Sequence, residues 1–225
     1  MQIFCDFDGT ISIKDTTDEI LSRFASPAWE VIEEEWKFGE IGSAECMRQQ
    51  IALIRATKQE LNAALDELPI DPAFPEFVRY CEHLSAPLTV ISDGVDYFIK
   101  RILGRYQLNY LPVIANKLNI DSDGAYYLTC PHTNPACASA AGVCKCRQIG
   151  SRTGMRVFVG DGRSDYCAAE SADLLFAKST LATYCEQKEI PYIAYQSFTD
   201  VQHALKRALP GIAHRESDTY AHAFA

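Results

Sequence analysis

The sequence predicts an α/β fold: a doubly wound, mostly parallel sheet with a helical insertion after its first strand. Short apolar runs at 3–5, 88–91, 157–159 and 174–177, with 190–195 as a fifth, each lead into a turn or helix signal. Their near-continuous apolar character marks strands buried on both faces. Helical patterns at about 95–105, 164–171, 179–187 and 198–208 separate the later runs, and such alternation builds a parallel sheet wrapped by helices. Acids follow three of the runs, and a sheet of this kind places its ligand site at the carboxyl ends of its strands.

The elements follow in order. After the first run, residues 14–84 carry amphipathic patterns at about 15–25, 28–38, 43–56, 58–67 and 74–84, punctuated by Pro27, Gly39, Gly42, Pro69 and Pro72, with no convincing strand. This is the helical insertion. In the irregular part at 112–146, Asp123-Gly124 lies between the apolar stretches 118–120 and 126–128 and predicts a hairpin; a Cys-, Ala- and Pro-rich loop follows. From Gly211 the chain is polar and is expected to form a flexible tail.

Composition excludes several functions. With 225 residues, 48% hydrophobic and 23% charged, the chain has the makeup of a soluble globular domain that can bury a core. A net charge of -9 argues against nucleic acid, whose backbone demands clustered Lys and Arg. No apolar run approaches the roughly 18 residues of a membrane helix, and no basic leader precedes an apolar segment. A cytoplasmic protein with no membrane partner is expected. The nine cysteines are an odd number, and Cys5, Cys46, Cys81, Cys167 and Cys185 fall within apolar patterns, as reduced packed thiols do.

Asp-Gly occurs at Asp8, Asp93, Asp123 and Asp161. Turn chemistry accounts for Asp123. The other three follow three separate strands and would converge on one sheet edge, where the chain supplies "CDFDGT", "VISDG", Lys145 and "VGDGRSD". Two carboxylates from the first stretch and one or two from the last offer the oxygen ligands that Mg²⁺ prefers. A bound cation inverts the local charge, so that an anionic phosphate can approach. Ser92 and Lys145 are the right types to hold phosphate oxygens, one as a hydroxyl donor and the other as a point charge.

These motifs resemble those of the haloacid dehalogenase-like phosphohydrolase superfamily. Asp6, Asp8 and Thr10 match its DxDxT, Ser92 its strand-terminal hydroxyl, Lys145 its lysine, and Asp161 and Asp165 the acidic pair of its GDxxxD. The resemblance implies a Rossmann-like core over 1–13 and 85–210, with the insertion 14–84 as a helical cap that closes over the site. It implies Asp6 as the nucleophile that becomes an aspartyl-phosphate, and Asp8 as the proton donor to the leaving alcohol and later the base toward water. Asp6, Asp8 through its backbone carbonyl, Asp161 and Asp165 would hold Mg²⁺. Ser92 and Lys145 would neutralise the transferring phosphoryl group, with Arg147 and Lys117 as alternatives for the lysine. Thr10, Asp93 and Gly94 are expected on the substrate's side of the site.

Within the superfamily, the insertion's position is that of the phosphoserine phosphatase-like branch. Asp15 and Arg48 match in position the acidic and basic cap residues that grip serine there, although the family acid is usually Glu. "FASPAWE", "CPHTNPAC" with "GVCKC", and "LLFAKSTLATYCEQKEIPYIAY" look like the methionine-salvage branch. Its members dephosphorylate 2-hydroxy-3-keto-5-methylthiopentenyl-1-phosphate, and relatives act on phosphoethanolamine and phosphocholine. The expected partner is therefore a small phosphomonoester. Two other classes compete: a phosphoacceptor signalling domain, which would lack the large insertion, and a zinc-binding interaction module. The second would rest on Cys130, Cys137, Cys144 and Cys146, with His132 nearby. Their C-x6-C-x6-C-x-C spacing lacks paired CxxC knuckles, which favours packed thiols.

Overall fold

The computed structural model describes residues 1–208 of the chain; the polar stretch expected from Gly211 lies outside the described residues. Seven strands are formed: β1 (Gln2–Cys5), β2 (Leu88–Val95), β3 (Val113–Ile120), β4 (Tyr126–Thr129), β5 (Arg156–Gly160), β6 (Leu174–Ala177) and β7 (Ile193–Ala194). The helices are α1 (Thr16–Phe24), α2 (Ala28–Phe38), α3 (Ser43–Ala52), α4 (Lys58–Glu67), α5 (Phe74–His83), α6 (Asp96–Arg105), α7 (Lys145–Gly150), α8 (Tyr166–Ala169), α9 (Ser179–Lys188) and α10 (Phe198–Ala208).

One seven-stranded sheet has the order β4-β3-β2-β1-β5-β6-β7. Every pairing is parallel except β3 with β4. β1 sits at the centre, with Ile3 opposite both Leu88 and Val157 and Cys5 opposite both Val90 and Val159. Both faces are covered. Ile3, Cys5, Val90, Val157 and Val159 pack with α1, α4, α5, α6 and α10 on one side. Phe4, Ile91, Phe158, Leu175 and Ala177 pack with residues of α7, α8 and α9 on the other. Burial on two faces is why these strands show no polar alternation.

The structure departs from the sequence reading at the strand ends. β2 does not stop at Ile91 but runs through Ser92, Asp93 and Gly94 to Val95, with a register irregularity between Ile91 and Val95. Side chains replace the missing ladder bonds there: Gly94 N–H donates to Ser92 Oγ (2.9 Å) and Asn116 Nδ2 donates to the Asp93 carbonyl (2.6 Å). The hairpin forms around Asp123-Gly124, but its first arm also pairs in parallel with β2, which makes β3 a sheet strand. Only Ile193 and Ala194 of the 190–195 run pair with β6.

Local chemistry sets the insertion. Asp15 caps α1 by accepting from Thr17 N–H and Asp18 N–H. Thr57 and Glu60 form a reciprocal capping box at the start of α4. Gly39, at φ +79°, ends α2 in the left-handed conformation. The last helix before β2, α5, lies on the sheet: Phe74 and Phe77 pack against Phe198 of α10 at 4.8 and 5.0 Å between centroids. Phe198 is fully buried and also faces Tyr195. Its truncation leaves a cavity among rigid neighbours, so Phe198→Ala should destabilise the fold by about 3–5 kcal/mol, read from urea unfolding midpoints.

Candidate active site

The strand ends converge as the acids required. Asp6 N–H makes the last ladder bond of β1, to Val159 O (2.9 Å). Phe7, fully buried, anchors the turn that follows: its carbonyl accepts from Thr10, Ile11 and Ser12 N–H at 3.2, 2.8 and 2.9 Å. The anchor points Asp6 and Asp8 from one turn into one cavity of about 310 Å³. Gly9 follows Asp8 at φ +70°, and a Cβ there would stand 2.5 Å from Asp161 Oδ2. Both facts require glycine.

Lys145 lies beneath this cavity with no solvent exposure. Its ammonium meets Asp6 Oδ1 at 2.9 Å, Asp165 Oδ1 at 2.6 Å and Ser164 Oγ at 3.0 Å, so its three donors are all used within the protein. Arg147 and Lys117 are exposed. The buried Lys145 is the cation that the acids face. Asp6 Oδ1 also accepts from Phe7 N–H (2.7 Å), and no hydrogen bond from the described residues goes to its Oδ2. The other Asp165 oxygen accepts from Asp161 and Gly162 N–H at 3.0 and 3.1 Å. Asp165 is thus completely engaged, as the brace that holds both Lys145 and the turn after β5.

Oxygen atoms of Asp6, Asp161 and Asp165 lie within 4.8 Å of one another. One lysine does not balance three acids. Burial, and after it the charge of Asp165, push the Asp6 carboxyl well above the carboxylate range against the pull of Lys145. The same two causes raise Asp161 to about 6. Burial alone would depress Lys145, but Asp165 and Asp6 reverse the effect and raise it. A hard cation set among these oxygens would supply the missing positive charge, and carboxylate oxygen is the donor type that Mg²⁺ takes.

Asp8 has different surroundings. Its Oδ1 accepts from Thr16 N–H (2.8 Å) and Thr16 Oγ1 (2.5 Å), and its Oδ2 lies 3.5 Å from Ser92 Oγ. Burial raises its pKa despite the Thr16 bonds, which favours the protonated form that a general acid needs. Gly94 makes this approach possible, because a Cβ there would collide with Asp8 Oδ2.

The remaining expected residues separate. Thr10 does not face the cavity; it donates to Asp161 Oδ1 at 2.6 Å and positions that carboxylate. Asp93 lines the cavity, yet its carboxylate is taken: Oδ2 accepts from Ser43 of α3, and Oδ1 from Val143 N–H (2.9 Å) and Asn116 Nδ2 (3.1 Å). Asp15 lines the cavity while capping α1. Arg48 is exposed, pairs with Glu45 at 3.5 Å and lies outside the cavity.

In its place the insertion contributes Asp18, Glu33, Trp36, Met47 and Gln50, which the sequence reading missed. Gln50 Nε2 donates to Glu33 Oε2 at 3.0 Å. A signal existed in α2: it carries both tryptophans of the chain, yet none of its residues is buried. The competing zinc site of Cys130, Cys137, Cys144 and Cys146 is not assembled, since no three thiols among the described residues lie mutually within 4.8 Å.

The profile of haloacid dehalogenase-like hydrolases matches residues 3–170. The chain belongs to that family. It is 30% identical over 211 residues to a 2-hydroxy-3-keto-5-methylthiopentenyl-1-phosphate phosphatase of Brevibacillus brevis, covering 91% of this chain and 95% of that protein. The corresponding phosphatase of Bacillus cereus strain B4264 is 30% identical over 217 residues, 93% of this chain and 97% of its own. Among solved structures, the fold is similar to a phosphoserine phosphatase with a phospho-aspartyl intermediate analogue, at TM-score 0.67 and 18% identity over 92% of this chain and 97% of that one. A probable phosphoserine phosphatase from Vibrio cholerae gives TM-score 0.68 at 19% identity over 96% and 67% of the two chains. Among the described residues no helix is long and apolar enough to cross a membrane.

Removing the ammonium strands two buried carboxylates. Lys145→Met should cost about 3–5 kcal/mol in urea unfolding, whereas Arg147→Met, at an exposed position, should stay within about 0.5 kcal/mol.

Proposed function

We propose that the protein is a Mg²⁺-dependent phosphatase that hydrolyses a small phosphomonoester through an aspartyl-phosphate on Asp6. The observation that carries the reading is the unequal use of the two Asp6 oxygens. Oδ1 is fixed by Lys145 and Phe7 N–H, while Oδ2 has no partner in a residue that lines the cavity. A carboxylate held by one oxygen presents the other as nucleophile. Asp6 Oδ2 attacks phosphorus, and Asp8, whose burial raises its pKa and so favours the protonated form, delivers its proton to the departing alkoxide. Asp8 then takes a proton from the water that opens the acyl phosphate. Ser92 accepts from Gly94 N–H and donates to Asp8 Oδ2 only at a long 3.5 Å, a bond that a phosphoryl oxygen could replace. Lys145 holds Asp6 in line and keeps negative charge from building up on it.

Asp6, Asp161 and the Asp8 carbonyl would hold Mg²⁺, with Asp165 behind them. When bound, the ion neutralises phosphoryl oxygens during transfer.

The helices α1 to α4 act as the cap, and α5 belongs with the sheet layer. For the leaving group we favour the methylthio ketone phosphate named for the curated relatives, because Trp36, Met47 and Ile13 give the cavity an apolar wall. Thr17 Oγ1, buried without a partner among the described residues, is a donor for one of its oxygens. A second reading, phosphoethanolamine or phosphocholine, draws on the carboxylates of Asp15, Asp18 and Glu33 around the same wall. Phosphoserine fits less well, since Arg48 lies outside the cavity and Lys14 is paired with Glu19 at 2.6 Å.

A phosphomonoester panel separates these readings: the highest kcat/KM should fall on the methylthio substrate, and preference for an amino-alcohol ester would establish the second. Asp6→Asn should lose at least about 10³-fold in kcat while keeping its fold by circular dichroism. Asp161 supplies a pH test. Its raised pKa means that its stabilising contribution, full below the unfolded value near 3.8, is lost as pH rises through about 6 in metal-free protein. Mg²⁺ should therefore raise the melting temperature at pH about 7.5 and have little effect at pH about 5, where protonated Asp161 is a poor ligand.

A further inference from the structure

A second cavity, of about 290 Å³, adjoins the first. Trp36, Ser43, Asp93, Arg163 and Ser164 line both, so these residues stand between the two. On the far side lie Gly39, Glu40, Ala138 and Ser139, all exposed, and the second cavity opens to solvent between the end of α2 and the cysteine-rich loop.

Two contacts between the insertion and the core cross this boundary. In one, Ser43 and Asp93 are buried and bonded to each other, and the start of α3 is tied down beside them: Ser43 and Ala44 N–H donate to the carbonyls of Ser139 (3.2 Å) and Ala140 (3.0 Å). The other joins Arg163 to Trp36. Arg163 begins the turn that carries Asp165 two residues on. Its guanidinium lies over the Trp36 ring, 5.2 Å from the centroid, and also donates to the Lys37 carbonyl at 2.9 Å.

The end of α2 explains the second bond. Gly39 and Glu40 N–H donate to the carbonyls of Glu35 and Trp36. The Lys37 carbonyl is left among the orphan acceptors of a helix C-terminus, where a cation is favoured. A planar guanidinium can lie on a ring and donate from its edge at once, which an ammonium cannot. With no buried residue in α2, this hold on its last turn sets the Trp36 ring across the boundary.

We propose that Arg163 is a specificity-determining residue: by clasping Trp36 and the end of α2 it closes the substrate cavity off from the second one and limits the length of the leaving group. The proposal rests on the reading that the first cavity takes the alcohol part of a phosphomonoester. With phosphate at Asp6, that part lies along the apolar wall of Trp36, Met47 and Ile13. A longer chain must continue past the Trp36 ring. With the clasp in place it meets a guanidinium, whose desolvation a methylene chain does not offset; without the clasp it runs on into the second cavity.

Straight-chain alkyl monophosphates from ethyl to octyl read the limit. For the unaltered enzyme, kcat/KM should rise with chain length and then fall. In Arg163→Ala the fall should move to longer chains, raising the ratio of kcat/KM for octyl over butyl phosphate by about 10-fold. Loss of a positive charge acts on every ester alike, so the shape of the profile and not its height is the readout. Arg163→Lys keeps the charge but not the plane, and should show the displaced limit too. A second measurement needs no turnover. In a Trp29→Phe background Trp36 is the sole tryptophan of the chain, and Arg163→Ala, by uncovering its ring, should raise the acrylamide quenching constant of its fluorescence. An unchanged quenching constant overturns the clasp. A raised constant with an unchanged length profile overturns its control of the leaving group, as does a limit that Arg163→Lys restores. If the unaltered enzyme hydrolyses no ester of the series or the panel, the reading of the site fails, while quenching still decides the clasp.

Discussion

The ion pairs of Lys145 hold the site together. An ammonium with no solvent exposure is costly unless every donor finds an acceptor, and here Asp6, Asp165 and Ser164 fill all three places. The lysine and its three partners come from the first residue of α7, the end of β1 and the turn after β5. Satisfying one lysine therefore fixes the relative positions of two strand ends and a loop. The same contacts leave Asp6 one oxygen for chemistry and leave the acid cluster short of positive charge, which is the condition under which a cation binds.

Asp93 organises the other side of the cavity. Its carboxylate ties Ser43 of the insertion, Asn116 of β3 and Val143 of the cysteine-rich loop into one node. Val143 is two residues from Lys145. A shift of the insertion at Ser43 therefore has a short route to the lysine that holds Asp6, through backbone and two hydrogen bonds. Buried polar nodes of this kind are rigid when every member is satisfied. That rigidity suits the role proposed for Asp6, beside a wall of helices that lines the cavity.

That wall combines two chemistries. Trp36, Met47 and Ile13 offer apolar surface, while Asp15, Asp18 and Glu33 offer negative charge in a protein already at net -9. In the proposed reaction, a dianionic phosphate entering past these acids would depend on a bound cation and Lys145 to reverse the field, and the wall would distinguish the leaving group rather than the phosphate.

The central strands and the acids that end them were legible in the sequence, because burial on two faces leaves continuous apolar runs and because "CDFDGT" and "VGDGRSD" carry their chemistry within a few residues. Ser92 and Lys145 were legible as residue types. What β2 does at Asp93 was not, since its extended path through Ser92 and Gly94 is held by Asn116, distant in sequence. Position in the sequence set Arg48 toward the substrate, but the facing of α3 turned it outward and brought Met47 and Gln50 in. A helix pattern gives a period and not the rotation of the helix about its axis against its neighbours. Thr10 likewise became a brace for Asp161 only when β1 and β5 were paired. The sequence by itself determined the reactive groups and the strands that end in them, because both are local. Which oxygen Asp6 leaves free, and which side chains line the cavity, only the tertiary structure decided, because both depend on contacts between segments far apart in the chain.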